Sequence, residues 1–450
     1  MTDPVLAFID AAAADPQTEL HSLLIRDAEG VQAEAYWAPY TPDDRQLVYS
    51  VSKTITATAA GLALAEGLVR LDDRVADLIP PPFPVEGRRR ELTLHHLLSM
   101  TTGHDADTFD FGGDVRSGRA AAFWGVEPQT PVGSRHVYNN GASWAVGEVV
   151  RTVTGGSLLD YLRPRLLDPL GIDVTWDTDS QGGELGFSGA HLTTRALAAI
   201  GQLYASDGRW EGRQVLPQGW AATVGTRHTS TEEPNPEWNF GYGYQVWMSR
   251  EGFRLDGAYG QYALVLPSSE TVIAITSAQA VTSQPLLDLV WQHLVPRLGA
   301  PASAERAERF ASLALPTPKD AGTYGSWSHA GPVPVKPSLA IGTEQMHTPD
   351  LADLSVTRDE SGFAVSFLLD GEPASLATYG PWRRQPLRTA GSDVEVALAA
   401  AVSGRGTARL RLCVTDTPHV LVIEVDARGA GMAWQTPPLH MEHLADLAAR

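Results

Sequence analysis

One long stretch of the chain is nearly free of charge, and it restricts the fold more than any other part of the sequence. From Ser50 to Ala65 there is no proline, and after Lys53 no charged residue occurs before Glu66. Such a run is apolar on all sides and predicts a helix buried in the protein core. Ser50 and Lys53 are three positions apart, so a helix places both side chains on one face. Burial disfavours the ammonium form, which would lower the pKa of Lys53 towards the range in which an amine acts as a base.

The serine–lysine pair alone does not establish a catalytic site. A serine at a helix N-terminus is a common N-cap, and a lysine in the first turn commonly extends its amine to water. Four-residue patterns also recur by chance in a chain of 450 residues. A catalytic role therefore requires partner groups elsewhere in the sequence.

The composition excludes several classes of protein. Asp plus Glu total 53 against 34 Lys plus Arg, a net charge of −19, which argues against binding to nucleic acids or to anionic membranes. Cys413 is the only cysteine, so neither an intrachain disulfide nor a cysteine-based metal cluster can form. The N-terminal segment is acidic and has no basic region typical of a secretory signal. We therefore expect a cytoplasmic protein, and the sequence leaves its oligomeric state open, a homodimer included.

The order of the predicted elements indicates a mixed α/β fold of the α+β type. A hairpin pattern in HSLLIRDAEGVQAEAYW precedes helical patterns that dominate from residue 50 to about residue 170. β-rich runs return between residues 240 and 277, and a helical pattern follows at residues 285–298. Strands from both ends must therefore meet in one largely antiparallel sheet with helices packed on it.

A change in composition divides the chain into two predicted domains. The first spans residues 1–299, and residues 300–314 form a charged connector that contains alanine and proline. Residues 315–450 contain short alternating segments separated by turn residues. This pattern predicts an all-β domain, either a sandwich or a lipocalin-like barrel. We expect the domain to fold separately and to contribute no catalytic group.

Two later clusters carry groups that acyl-transfer chemistry needs. Tyr138 and Asn140 lie in a polar loop just before a predicted helix, and Gly257 and Gly260 bracket the start of a predicted strand. Glycine at such a place permits a close approach of the backbone. Each cluster also has a structural alternative: the tyrosine as a half-buried core aromatic, the asparagine as a turn residue, and the glycines as features of an edge strand.

Together the three clusters resemble the serine β-lactamase and penicillin-binding-protein superfamily. The closest likeness is to its class C β-lactamase-like branch, with the family VIII carboxylesterases and the 6-aminohexanoate-dimer hydrolases. Ser50 to Lys53 match the Ser-x-x-Lys motif, Tyr138 to Asn140 match the Tyr-x-Asn motif, and DGAYGQYALVLPSSETVIAITS matches the strand of the third motif. Accessory segments such as HHLLSMTTGHD and FGYGYQVW agree in order and spacing. The resemblance covers residues 15–298 and implies a β-lactamase/transpeptidase-like antiparallel sheet flanked by helices, with an all-helical subdomain.

The resemblance also implies a mechanism. Ser50 would attack a carbonyl group and form an acyl-enzyme, while Lys53 takes the serine proton and shares it with Tyr138. Tyr138 would then protonate the leaving group and activate water, and Asn140 would orient the lysine or a substrate amide. The backbone N–H groups of Ser50 and Ala258 would form the oxyanion hole. The implied substrate is a small ester or amide or a short peptide, and no metal or organic cofactor is implied.

One motif departs from the pattern of this superfamily. Its penicillin-active members carry Lys-Thr-Gly or His-Thr-Gly in the third element, where this chain has Asp256 followed by Gly257. No cation at this position would hold the carboxylate of a β-lactam, so we expect cleavage of neutral esters or amides with little or no β-lactamase activity. His104 could line the pocket, although a surface position is the simpler expectation. Four aromatic residues could form an apolar pocket or belong to the core: Trp238, Phe240, Tyr242 and Tyr244.

Two alternatives stay open. The superfamily includes D-amino-acid peptidases and peptide-releasing or cyclising transacylases, some of which carry C-terminal β-barrel domains. The other alternative is a non-catalytic binding protein on the same fold, and the intact Ser50, Lys53 and Tyr138 argue against it. Turnover of a D-amino-acid amide, compared with that of a p-nitrophenyl ester, would separate a peptidase from a carboxylesterase or amidase.

Overall fold

The structure is a computed structural model that describes residues 3–109, 118–322, 324–336, 348–389, 391–439 and 444–447. The chain forms two compact units. One holds Met1–Ser22, Ala35–Gln46 and Thr276–Ala449, and the other holds Leu23–Glu34 and Leu47–Ile275. Each unit is thus built from segments that are not contiguous in sequence, and the domain boundaries at residues 299 and 315 stay a prediction.

Helices are spread over both units. The α-helices are α1 (Pro4–Ala14), α2 (Val51–Ala65), α3 (Val75–Leu78), α4 (Leu94–Leu98), α5 (Arg119–Gly125), α6 (Asn140–Thr154), α7 (Leu158–Leu162), α8 (Asp168–Leu170), α9 (Thr194–Ala205), α10 (Trp220–Val224), α11 (Gln284–Leu289) and α12 (Arg306–Ala311). Short 3₁₀ segments span Gly87–Glu91, Pro236–Trp238, Pro267–Ser269, Val295–Arg297 and Leu444–Leu447, and π-helical turns span Arg163–Leu167 and Val290–Leu294. Within the described ranges, no helix has the length and apolar character that crossing a bilayer requires.

The strands fall into an early group and a C-terminal group. The early strands are β1 (Leu20–Asp27), β2 (Gly30–Tyr36), β3 (Gln46–Leu47), β4 (Thr175–Trp176), β5 (Ala190–Leu192), β6 (Arg209–Trp210), β7 (Arg213–Gln214), β8 (Trp247–Met248), β9 (Phe253–Gly257), β10 (Gln261–Leu266) and β11 (Thr271–Ser277). The C-terminal strands are β12 (Gly325–Pro332), β13 (Leu351–Asp359), β14 (Gly362–Leu369), β15 (Glu372–Thr378), β16 (Arg383–Arg388), β17 (Asp393–Val402), β18 (Ala408–Val414), β19 (Val420–Asp426) and β20 (Gly429–Trp434).

The central sheet has six strands in the order β2-β1-β11-β10-β9-β8. Strands β8 to β11 pair antiparallel, and β10 and β11 are buried along their whole length. Helix α9 packs closely on this sheet, because a β-carbon on its Gly201 would lie 2.7 Å from the side chain of Val272. Between β3 and β4 the described residues form helices α2 to α8 and no strand. The predicted fold class, an antiparallel sheet flanked by helices, is confirmed.

Helix α2 is the buried helix that the uncharged stretch predicts. Every residue from Val51 to Ala63 is buried. Its threonines can be buried because their hydroxyls have partners: Thr54 donates to the carbonyl of Gln245, Thr56 donates to that of Gly186, and Thr58 lies 2.7 Å from the hydroxyl of Tyr204. Buried polar groups with such partners hold the helix in one orientation.

The C-terminal strands form two antiparallel sheets. Strands β12 to β15 make a four-stranded sheet and strands β16 to β20 a five-stranded one, each in sequence order. The alternating burial along β14 is the pattern of a sheet with one face in a core, whereas β12 alternates between partly and fully exposed residues. A parallel bridge between Val335 and Met432 joins the segment after β12 to β20. The expectation of an all-β C-terminal region is confirmed.

Candidate active site

The side chains of Ser50 and Lys53 meet at the start of helix α2. Ser50 precedes the first helical residue and makes no capping hydrogen bond with its side chain, so it is not a conventional N-cap. Ser50 is partly exposed, whereas Lys53 is only 1% exposed and does not extend to water. The Nζ atom of Lys53 lies 2.9 Å from Oγ of Ser50. Both structural alternatives for this pair are therefore wrong.

The Lys53 amine is enclosed by polar acceptors. Besides Ser50, it donates to Oδ1 of Asn140 at 2.6 Å and to the carbonyl of Phe187 at 2.7 Å. Burial lowers the pKa of Lys53 to about 7, although the carboxylates of Asp107 and Asp256 act in the opposite direction. An amine with this pKa is neutral in a large fraction of molecules near neutral pH, so it can accept a proton.

Tyr138 completes the group around the serine. Its side chain is hydrogen-bonded to that of Ser50, and the Lys53 Nζ atom lies 4.9 Å from the centre of its ring. The ring stacks on Trp247 with centroids 5.8 Å apart and lies edge-on to Tyr242. Burial raises the pKa of Tyr138 well above its ordinary value, so the group is a neutral phenol at pH 7. A neutral phenol can donate a proton, whereas the lysine amine is better suited to remove one.

Asn140 is oriented by Asp107, a residue that the sequence reasoning missed. The backbone N–H of Asn140 donates to Oδ1 of Asp107 at 2.9 Å, and its side-chain amide donates to the other carboxylate oxygen. These bonds leave the amide oxygen of Asn140 directed at Lys53. Asp107 is one of several aspartates in the segment GHDADTFD, and no local pattern distinguishes it from the others.

The third cluster brings a backbone turn beside the residues that precede Ser50. A β-carbon on Gly257 would lie 2.2 Å from the carbonyl oxygen of Val48, so only glycine permits this approach. Ala258 follows in the turn between β9 and β10 and is partly exposed. Within the described part of the chain, the N–H groups of Ser50 and Ala258 have no hydrogen-bond acceptor. Two such N–H groups are what an oxyanion hole requires.

Asp256 forms an ion pair with Arg254, which the sequence motifs did not indicate as a site residue. Nε of Arg254 lies 2.8 Å from Oδ2 of Asp256, and the guanidinium is fully buried above the ring of Trp238 at 4.8 Å. Burial raises the pKa of Asp256, and the positive charge of Arg254 opposes this effect. The pair could have been expected, because residues two apart on a strand share a face. A cation is therefore present beside the third cluster, and Asp256 neutralises it.

The aromatic candidates divide between surface and core. Trp238 is partly exposed and its side chain is hydrogen-bonded to Asp256, and Phe240 is 38% exposed. Tyr242 and Tyr244 are buried. The hydroxyl of Tyr244 lies 2.6 Å from Nδ1 of His95, so this tyrosine belongs to a histidine-lined part of the core.

His104 is a buried structural residue, and the expectation of a surface position is wrong. It is 1% exposed. Its Nδ1 atom lies 2.9 Å from the hydroxyl of Thr102, and its Nε2 atom lies 3.1 Å from the carbonyl of Val126. Both ring nitrogens thus have neighbours that fix the loop.

Comparison with known proteins gives a family and several relatives. The family model described as Beta-lactamase matches residues 21–294. Penicillin-binding protein 4 of Amycolatopsis lactamdurans is 28% identical over 351 residues, which cover 68% of this chain and 90% of that protein. The 6-aminohexanoate-dimer hydrolase of Paenarthrobacter ureafaciens is 26% identical over 296 residues, covering 57% of this chain and 71% of that protein. The crystal structure of SurE with D-Leu has a similar fold, with a TM-score of 0.53 and 18% identity over 92% of this chain and 96% of that one.

Proposed function

The chain belongs to the Beta-lactamase family, and on this premise we propose that it is a serine hydrolase that cleaves an ester or amide bond through an acyl-Ser50 intermediate. The observation that carries the proposal is the 2.9 Å distance between Lys53 Nζ and Ser50 Oγ, together with the lysine pKa of about 7. A serine hydroxyl is a weak nucleophile until a base within hydrogen-bond distance removes its proton.

Acylation begins with proton transfer from Ser50 to the neutral amine of Lys53. The serine oxygen then forms a bond to the substrate carbonyl carbon, and negative charge develops on the carbonyl oxygen. Among the described residues nothing accepts from the N–H groups of Ser50 and Ala258, so both are available to donate to that oxygen. In many enzymes, donors that are already oriented towards the charge developing in the transition state make the largest single contribution to the rate enhancement.

Collapse of the tetrahedral intermediate expels an alcohol or amine that must receive a proton. Tyr138 holds a phenol proton at pH 7 and is hydrogen-bonded to the serine side chain, so it can protonate the leaving group. The ammonium of Lys53 then returns its proton to the tyrosine oxygen, which restores both groups to their starting states. In deacylation Lys53 takes a proton from a water molecule, and the water oxygen attacks the acyl carbon. Tyr138 protonates the oxygen of Ser50 as it leaves, and the ammonium of Lys53 then returns its proton to the tyrosine oxygen.

The substrate class follows from charge beside the serine. Asp256 neutralises Arg254, so no unpaired cation of the third cluster is available to a substrate carboxylate. Neutral short-chain esters and linear amides therefore fit better than penicillins, whose carboxylate would lie beside an acidic group. The match to a 6-aminohexanoate-dimer hydrolase supports linear amides as one part of this class.

The test is covalent labelling followed by turnover measurements. A fluorophosphonate probe should form one adduct, located at Ser50 by peptide mass spectrometry, and Ser50→Ala should not react. Ser134→Ala, at an exposed serine of the same unit, is the matched control and should react like the wild type. An unlabelled wild-type protein that also fails to hydrolyse p-nitrophenyl butyrate would contradict the proposal. Faster turnover of a D-amino-acid p-nitroanilide than of any ester would instead favour the peptidase alternative.

A further inference from the structure

Two tyrosines adopt backbone conformations that are unusual for residues with a β-carbon. Tyr49 has φ 48° and Tyr259 has φ 62°. Non-glycine residues in this left-handed region carry strain, and they persist only where the surrounding structure holds them. Tyr49 directly precedes Ser50, and Tyr259 directly follows Ala258. The strained residues thus adjoin the two N–H donors of the proposed oxyanion hole.

The two tyrosines pack against each other. Their ring centroids are 5.8 Å apart with an interplanar angle of 66°, an edge-to-face arrangement. Tyr49 is 2% exposed and Tyr259 is 6% exposed, so both rings are enclosed. Edge-to-face aromatic pairs attract beyond the effect of their buried area. A direct attractive contact therefore joins the two strained positions.

The backbones of the same two segments also touch. Gly257 lies against the carbonyl oxygen of Val48 so closely that no side chain fits there. The contact of Val48 with Gly257 and the contact of Tyr49 with Tyr259 fall on consecutive residues of the first segment and on residues two apart in the second. Two successive contacts restrict the relative position of the segments more than either does alone. The N–H groups of Ser50 and Ala258 lie at this junction.

We propose that the ring pair of Tyr49 and Tyr259 positions the two N–H donors for the carbonyl oxygen of the substrate. The tyrosines do not touch the reacting atoms, so they are positioning residues. The proposal rests on the proposed function, since it assumes an acyl-transfer reaction at Ser50. The rings hold both backbone segments in conformations that neither would keep alone.

The experiment replaces the ring and retains the β-carbon. Tyr49→Leu and Tyr259→Leu should lower kcat for p-nitrophenyl butyrate by about tenfold to a hundredfold, because small displacements of catalytic groups have effects of that size. KM should change by less than about threefold. Affinity for an aryl boronic acid, whose tetrahedral adduct with the serine directs an oxygen at the same donors, should fall in parallel with kcat. Tyr49→Phe and Tyr259→Phe keep the ring and should retain kcat within about twofold.

Two further variants test whether the loss of kcat is due to misfolding and whether the two rings act through the same contact. Tyr259→Gly removes the ring and relieves the strain at positive φ, so it should fold and still lose kcat. The double leucine variant should lose little more than either single variant, because both break one contact. Folded leucine and glycine variants with wild-type kcat would overturn the proposal, as would equal losses in the phenylalanine variants, which would assign the effect to the hydroxyls.

Failure of the proposed function gives a different result. If the wild-type protein forms no fluorophosphonate adduct at Ser50, the acyl-enzyme proposal fails whatever the tyrosine variants do. If the wild type is labelled and turns over the ester while the leucine variants match it, only the positioning role fails.

Discussion

The amine of Lys53 lies 2.9 Å from the hydroxyl oxygen of Ser50, and the lysine is buried while the serine is partly exposed. This difference in exposure assigns a distinct property to each group. The serine can be reached by a substrate, whereas the lysine loses its hydration and its pKa falls to about 7. The nucleophile and the base are therefore one helical turn apart in sequence, and only the nucleophile is accessible to water.

The first prediction concerns the nucleophile and its two proton-transfer partners. Ser50→Ala and Lys53→Ala should each lower ester turnover by at least about a thousandfold, because removing one member disables the whole nucleophile–base unit. Tyr138→Phe should cost nearly as much, since the ring still stacks on Trp247 and only the proton donor is lost. Steady-state kinetics with circular dichroism as the fold control measures this. Near wild-type turnover by Ser50→Ala would exclude Ser50 as the nucleophile.

The second prediction concerns pH. Only the neutral amine of Lys53 can take the serine proton, so kcat/KM should rise with pH and level off above about pH 7. Asn140→Asp replaces the amide oxygen 2.6 Å from Nζ by a carboxylate, which favours the ammonium form and raises the lysine pKa. The rising limb should therefore move to higher pH. A limb that stays in place or moves to lower pH in this variant would show that another group controls it.

The third prediction concerns Asp256. Asp256→Asn keeps a hydrogen-bond acceptor for Arg254 and removes the negative charge, so the guanidinium is no longer neutralised. We expect KM for carboxylate-bearing substrates to fall, and the rising limb of the pH profile to move to lower pH because a carboxylate that favours the Lys53 ammonium is lost. Asp256→Lys or Asp256→His should likewise lower KM for carboxylate-bearing substrates.

Wild-type selectivity provides the reference for that variant. kcat/KM for p-nitrophenyl acetate or butyrate should exceed that for nitrocefin in the wild type, and the ratio should shrink in Asp256→Asn. Efficient hydrolysis of nitrocefin by the wild type, comparable to that of the ester, would refute the assigned role of the Arg254–Asp256 pair.

The fourth prediction concerns stability in the unit that contains the C-terminal strands. Arg411 on β18 pairs with Glu19, and both side chains are nearly buried. Burial acts to raise the pKa of Glu19, but the charge of Arg411 outweighs this effect and holds the pKa at about 2. Arg411→Ala leaves the carboxylate buried without its cationic arginine partner, with only His21 and Gln435 beside it, which should lower the free energy of unfolding at pH 7 by about 3–5 kcal/mol. Arg428→Ala, at an exposed pair of the same unit, should leave the free energy of unfolding almost unchanged.

The pH dependence of stability gives an independent check on the same pair. Because the folded pKa of Glu19 lies below the unfolded one, its contribution is present above the unfolded pKa and is lost as pH falls towards 2. In Arg411→Ala the buried carboxylate of Glu19 loses the charge that holds its pKa down, so the destabilisation should be smaller at pH 5 than at pH 7. Urea unfolding at both pH values measures it, and an equal loss at both would contradict the ion-pair explanation.

Some of this architecture could be predicted from local patterns. The uncharged run after Lys53 predicted α2, because an apolar segment without proline has no stable position except inside the protein. The alternating segments near the C-terminus predicted β-strands, because alternate side chains of a strand point to opposite faces of the sheet and only one face needs to be apolar. His104 was expected at the surface and is buried, because a polar side chain can be enclosed once Thr102 and Val126 provide its partners. Local hydrophobicity does not report such partners, of which Val126 lies 22 residues further along the chain.

The placement of Ser50 and Lys53 on one helix face could be read from their spacing, since residues three apart lie together in any helix. The surroundings of the amine depend on chain packing: Asn140 and Phe187 contact it from positions 87 and 134 residues further along the chain. The same holds for the pairing of Asn140 with Asp107 and for the contact between Tyr49 and Tyr259. The physical reason is that helix geometry depends on neighbours within one turn, whereas desolvation and charge at a site depend on whichever segments packing brings to it.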